Sequence, residues 1–339
     1  MTGAPGQASY FSLHPSMTLT FPLSFLLACA MALSASLAHA AGFQRLNLPM
    51  DQNGPALQGA VWYPCADPAR EIRIGRAVIA GTPDCKMTEG RYPLIVMSHG
   101  AAGSFLSHHD TAAALADAGF VVAAINHVGD NAQDRSRQGY LSIFSTRPRE
   151  MRRLIDYMTG AWPGKSALVP DKAGFFGFSR GGYTGLVLAG AVPDFRAGLA
   201  ICQDAPALPM CRDIAAGKVA AQPYPHDARI QAAVIADPLN AFPGDALKGV
   251  AIPIQLWASE RGGDGVSPAS VDAVRQGLGV APDYRVAQGA GHFAFLAPCS
   301  AEQAEALPAL CTDEAGLDRL ALHRDLNARA AEYFKARLQ

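Results

Sequence analysis

The chain has 339 residues, half of them apolar and 17% charged, with a formal net charge of −1. That composition supports a large buried core in one large domain or two small ones. It excludes the basic patch or stripe that a nucleic-acid binder carries.

The first segment reads as an address. From Met17, "MTLTFPLSFLLACAMALSASLAHAAG" is an apolar run closed by the small-x-small pattern Ala38-His39-Ala40, as a secretory signal peptide requires. Residues 1–16 read as an upstream extension. The alternatives are an uncleaved anchor over Leu19 to Leu37 and a lipoprotein-type signal at Cys29. The expectation is a leader over residues 1–40, one domain over 41–339, a periplasmic or secreted location, and no stable membrane insertion once the leader is removed. Six cysteines remain beyond Cys29, and an exported location makes them a disulfide framework with 15 possible connectivities. Sequence neighbours suggest Cys65–Cys85, Cys202–Cys211 and Cys299–Cys311. No CxxC or HxxxH spacing supports a metal site, and neither a metal nor another cofactor is expected.

Beyond residue 41, apolar runs alternate with helix-like segments. Strands are expected at 59–64, 93–100, 120–127, 173–179, 230–237, 252–259 and 284–291, several of them apolar on consecutive positions, as strands covered on both faces are. Helices are expected at 108–118, 148–160, 181–191, 268–277 and 314–337. The alternation predicts an α/β protein with a mostly parallel central sheet and helices on both faces. Arg147, Arg149, Arg152 and Arg153 read as the solvated face of one helix. Residues 194–228 break the rhythm and read as an insertion, either a lid or pocket wall or a passive surface excursion.

The stretch "GFFGFSRGG", residues 174–182, carries the chemistry. A strand, then Gly177-Phe178-Ser179-Arg180-Gly181, then a helix is the setting of a nucleophile elbow: a strained turn lifts Ser179 above the sheet edge at a helix N-terminus. A serine nucleophile needs a base and a group to orient that base, and on this architecture the chain order is Ser, Asp or Glu, His. His292, in "GAGHFAF" after the final strand, is the expected general base. Asp264, in "ASERGGDGVSP", is the first choice for the acid. Glu260, closer to the strand end, and Asp237, one strand earlier, stay open as alternatives. The turn "SHGAAG", residues 98–103, offers the N–H of Ala101, which with the N–H of Arg180 would form a two-donor oxyanion hole.

Taken together, "PLIVMSHGAAGSFLSHHDTAAALADAGFVVAAINHVGDN", "GFFGFSRGGYTGLVLAGA", "DARIQAAVIADP" and "GAGHFAFL" resemble the bacterial dienelactone-hydrolase-like group of α/β-hydrolases related to platelet-activating-factor acetylhydrolases, over roughly residues 43–335. The resemblance implies the α/β-hydrolase fold and a metal-free serine esterase mechanism acting on a small-molecule ester. Two departures matter. Dienelactone hydrolases carry cysteine where this chain has Ser179, and the acetylhydrolase relatives take their acid near the position of Asp237. An amide or peptide hydrolase on the same triad, or an exported binding protein of the same fold, are the other readings; oligomeric state is not legible.

Overall fold

The computed structural model describes Tyr10 and residues 40–197, 201–218 and 224–339. Apart from Tyr10 and Ala40, the leader expected over residues 1–40 lies outside the described residues.

Ten strands form one sheet: β1 (Ala40–Leu48), β2 (Leu57–Cys65), β3 (Arg70–Ile74), β4 (Ala77–Pro83), β5 (Tyr92–Ser98), β6 (Val121–Ile125), β7 (Leu168–Phe178), β8 (Ile230–Ala236), β9 (Ile254–Ser259) and β10 (Asp283–Ala287). Their order is β10-β9-β8-β7-β5-β6-β2-β1-β4-β3. From β10 to β6 all neighbours are parallel, while β2 pairs antiparallel with both β6 and β1, and β3 with β4. The seven expected strands are present. Three further strands, β1, β3 and β4, continue the sheet beyond β2, with β1 parallel to β4 and β3 at the edge: β3, "REIRI", has no continuous apolar run, because it is at most half-buried.

Both sheet faces are covered, as the apolar runs require. Along β5, Leu94 and Val96 enter one core and Ile95 and Met97 the other; β8 divides Ala233 and Ile235 from Ala232, Val234 and Ala236 in the same way. Helices α1 (His109–Asp117), α2 (Ile143–Gly160) and α3 (Arg180–Leu188) follow β5, β6 and β7. Two short helices, α4 (Ile201–Asp204) and α5 (Pro209–Ala215), lie in the insertion, followed by α6 (Pro268–Gly277), α7 (Ala301–Ala306), α8 (Pro308–Cys311) and the terminal α9 (Arg319–Leu338). Residues of α2, α3 and α6 pack into the first core, those of α1 and α9 into the second.

The helix basic face needs correction. Arg149 and Arg152 are exposed, but Arg147 and Arg153 are buried. Arg153 donates to Asp51 and to the carbonyls of Pro49 and Pro55, tying α2 to the loop after β1. A guanidinium enters a core only with its donors satisfied, and spacing alone does not announce such partners. The disulfides Cys65–Cys85, Cys202–Cys211 and Cys299–Cys311 are formed. No helix among the described residues is long and apolar enough to cross a membrane.

Candidate active site

The strand order reverses at β5, with β6 on one side and β7 on the other. At such a switch point the carboxyl ends of neighbouring parallel strands diverge and leave a crevice. Both glycine-rich turns of the sequence open there: residues 98–103 end β5, and Ser179 ends β7.

Ser179 has φ 57° and ψ −120°, a conformation that L-residues rarely adopt. The turn holds because its neighbours lack side chains. A Cβ on Gly177 would run into the carbonyl of Gly181, and one on Gly181 into the carbonyl of Ser98, so α3 closes onto the ends of β7 and β5 with no space between. The backbone is then locked from three sides: Ser179 N–H donates to Ala236 O (3.0 Å), and Ser179 O accepts from Tyr183 and Leu239 (3.0 and 3.1 Å).

His292 opens a short 3₁₀ turn, His292–Phe295, after β10. Its N–H donates to Gly262 O at 2.8 Å, and its ring stacks on Phe178 with centroids 4.6 Å apart. Its Nδ1 lies 2.9 Å from Asp237 Oδ2. That carboxylate also accepts from Ser259 N–H (2.7 Å) and Ser259 O–H (2.5 Å). A carboxylate can only accept, so Nδ1 carries the ring proton and Nε2 the lone pair. Nε2 is buried and bonded to no protein group.

The histidine's carboxylate partner is therefore Asp237 and not Asp264, the first choice from sequence. Gly263 and Val266 exchange both backbone hydrogen bonds (2.8 and 2.9 Å), closing a tight turn that puts Asp264 at its tip, exposed and with φ 48°. Asp237 stands one residue past β8, the strand beside β7, which brings it below the His292 turn. Glu260 is also elsewhere: its Oε2 accepts from Gly289 N–H at 2.6 Å and braces the turn after β10.

Ser179 lines a cavity of about 70 Å³ together with Ala101, Arg180, Gln138, Phe144, Met210, Leu239 and Asp264. Both expected oxyanion donors are thus on the wall beside the serine. Met210 comes from α5, so the insertion contributes a wall residue, and Asp264 keeps a place at the site without being the partner of His292.

Behind the turn 98–103 lies a polar cluster that the sequence reading did not anticipate. Asp130, fully buried, meets Arg147 Nη1 (2.5 Å), Arg180 Nη1 (3.1 Å) and the N–H of Ala102 (3.2 Å). Burial alone would raise the Asp130 carboxyl, but the two guanidiniums hold it below its usual range. Next to it, Ser98 Oγ is 2.8 Å from His127 Nε2, and His127 Nδ1 is 2.6 Å from Glu150 Oε2. Burial pushes Glu150 up to about 7. Burial and the charge of Arg147 hold His99 down to about 3 and His127 well below its usual value. No local pattern marks this cluster: Arg147 and Glu150 lie on the buried side of α2 among its apolar residues, and periodicity does not reveal their partners.

The sheet order and its covering helices are those of the α/β-hydrolase fold. A ferulic acid esterase from Streptomyces cinnamoneus superposes with a TM-score of 0.59 at 16% identity, over 91% of this chain and 92% of that one. Residues 78–138, which hold the turn 98–103 and Asp130, match the family described as platelet-activating factor acetylhydrolase, isoform II. The chain thus has the α/β-hydrolase fold, and its residues 78–138 are similar to that acetylhydrolase family. No protein of curated function matches the sequence.

Proposed function

We propose that this carboxylic-ester hydrolase works through Ser179, His292 and Asp237 by way of an acyl-enzyme. The observation that carries the reading is the unpartnered, buried Nε2 of His292, with its lone pair fixed by Asp237 on the other nitrogen, in a site whose serine is held in a strained turn on a cavity wall. Ser179 Oγ attacks the ester carbonyl while His292 Nε2 takes its proton. The same proton is passed to the departing alcohol as the tetrahedral intermediate collapses. Asp237 fixes the imidazole tautomer and stabilises the imidazolium. The N–H groups of Ala101 and Arg180 receive the oxyanion, which also lies at the positive end of α3. Water then attacks the acyl-enzyme by the same steps in reverse.

A cavity of about 70 Å³ is small beside the roughly 300–1,000 Å³ of a pocket for a drug-sized ligand, so short acyl groups fit it best. We read the protein as exported, with the leader over residues 1–40 removed: three disulfides persist in oxidising compartments and are rare in the cytosol.

The test is hydrolysis of p-nitrophenyl esters from acetyl to long acyl chains by the protein and its Ser179→Ala variant. We expect turnover highest on acetyl to butyryl esters and a loss of at least about 10⁴-fold in the variant. A folded wild-type protein inactive on every ester would overturn the reading and favour amide hydrolysis or simple binding.

A further inference from the structure

An oxyanion hole works only if its donors stand at fixed positions before charge develops, because reorienting them during the reaction would consume the stabilisation they give. Here the two donors sit on separate segments. Ala101 belongs to the turn after β5, and Arg180 opens α3. Around the turn, Gly103 N–H reaches Gly100 O at 3.3 Å, His99 Nδ1 lies 2.7 Å from Gly100 O and Ala132 N–H donates to Gly103 O at 2.7 Å, while Ala102 between them has φ 50°, in the left-handed region that non-glycine residues avoid. Ala102 itself is held by a group from outside the turn.

That outside group is Asp130, on the loop after β6. One oxygen, Oδ1, accepts both from Ala102 N–H, the residue after the first donor, and from the guanidinium of Arg180, the residue that carries the second. The other oxygen accepts from Arg147, whose Nη2 donates to His99 O at the start of the same turn. Arg180 Nη1 is held also by Gln138 O at 3.0 Å. We propose that Asp130 is the positioning residue of the oxyanion hole, a single buried carboxylate that fixes the two donor-bearing segments relative to each other. The proposal rests on the esterase reading above. Asp130 is absent from the cavity wall and so acts through its neighbours.

Its charge has the wrong sign for a direct electrostatic role. A carboxylate so near a developing oxyanion opposes it, and of the charged groups around it only the two arginines favour it. The geometric and field roles therefore predict opposite results for Asp130→Asn. Loss of the negative charge should speed the reaction if field dominates, and slow it if Asp130 sets position.

The experiment uses the full chain, p-nitrophenyl acetate, titration of reactive Ser179 with a fluorophosphonate, and inhibition by phenylboronic acid, whose tetrahedral adduct carries the charge of the intermediate. For Asp130→Asn we expect kcat per titrated site to fall about 10²-fold, on the scale of losing one oxyanion donor, with KM within threefold and boronate affinity falling in step with kcat. A purely structural role would lower the titratable fraction or the melting temperature and leave kcat per site unchanged. Asp130→Glu keeps the charge that pairs both arginines but moves the carboxylate by one methylene. It should slow turnover per site about tenfold, and it decides the matter if Asp130→Asn does not fold. Wild-type or faster turnover per site in either folded variant, or a loss confined to KM, overturns the proposal. A wild-type protein without esterase activity removes the function reading itself, an outcome distinct from both.

Discussion

A chain of Ser98, His127 and Glu150 stands beside the triad proposed for Ser179, His292 and Asp237. Ser98 ends β5 and Ser179 follows β7, with Ser98 in register opposite Gly177 on the neighbouring parallel strand. By contacts alone the inner array is the more complete, since Ser98, His127 and Glu150 form a continuous hydrogen-bonded chain, whereas His292 Nε2 has no protein partner. Yet it is Ser179 that lines the cavity. Ser98 and His127 are fully buried on or beside a regular strand, and every polar atom of the chain is consumed by another. The protonation states differ as well. Below about pH 7 a protonated Glu150 donates to His127 Nδ1, which leaves the remaining imidazole proton on Nε2, pointing at Ser98. A histidine in that tautomer donates to its serine and cannot deprotonate it. Asp237 imposes the opposite tautomer on His292. What separates the candidate site from the core network is a serine on a cavity wall and a histidine nitrogen with no protein partner, its tautomer fixed from the other side.

The comparison breaks or holds first on the two carboxylates. Asp237→Asn should cost about 10⁴-fold in kcat on p-nitrophenyl acetate, because the amide reverses the imidazole tautomer. Glu150→Gln should cost less than tenfold. Equal losses would mean that the inner array takes part in turnover. The same pair separates in stability. Glu150 has a raised folded value, so its contribution is fully present below its ordinary value and is lost as pH rises through about 7. Chemical denaturation of wild type between pH 5 and 8 should show that decline, and Glu150→Gln should flatten it.

A smaller effect is expected at Asp264. With its carboxylate at the cavity mouth and His292 already paired to Asp237, Asp264→Asn should change kcat on neutral esters by no more than about threefold, against the 10⁴-fold scale of losing the triad acid. A loss on the larger scale would return Asp264 to the role first expected of it.

Legibility in the sequence follows the range of the interactions. Ser179 and His292 were legible because a strand-turn-helix junction and a glycine-flanked turn are local patterns, as were six cysteines whose partners are their neighbours in sequence. The carboxylate partner of His292 was not, because the choice among Asp237, Glu260 and Asp264 depends on which strand end lies beneath residue 292, a contact spanning 55 positions. Ala101 was found through its turn. Asp130, which braces that turn from 28 residues away, left no local mark. Strands β1, β3 and β4 escaped for a related reason: exposed positions interrupt their buried ones, as in strands with one solvated face.

A third pair, buried His323 with half-buried Asp110, extends the comparison to pH. His323 Nδ1 lies 2.6 Å from Asp110 Oδ2 and its Nε2 3.0 Å from Ala294 O, two residues beyond His292. Both partners only accept, so both ring nitrogens carry protons and the ring is an imidazolium. Burial and the neighbouring Arg319 oppose that charge, but the bond to Asp110 and its charge outweigh them and raise His323 above its usual value. Asp110, which also accepts from Asn327 at 3.0 Å and faces His109, is held below its own despite burial. The pair thus clamps α1 and α9 to the turn that carries His292. Because the folded value of His323 is raised, its contribution is fully present below the ordinary histidine value and is lost as pH rises through the higher folded one. Asp110 contributes above the ordinary aspartate value and is lost as pH falls through its lowered one. Urea midpoints measured from pH 6 to 10 should therefore decline for wild type on the alkaline side. In His323→Gln, which retains one donor and cannot titrate, that decline should shrink; an identical slope in both proteins would show that the ring is neutral and that this third pair is no ion pair.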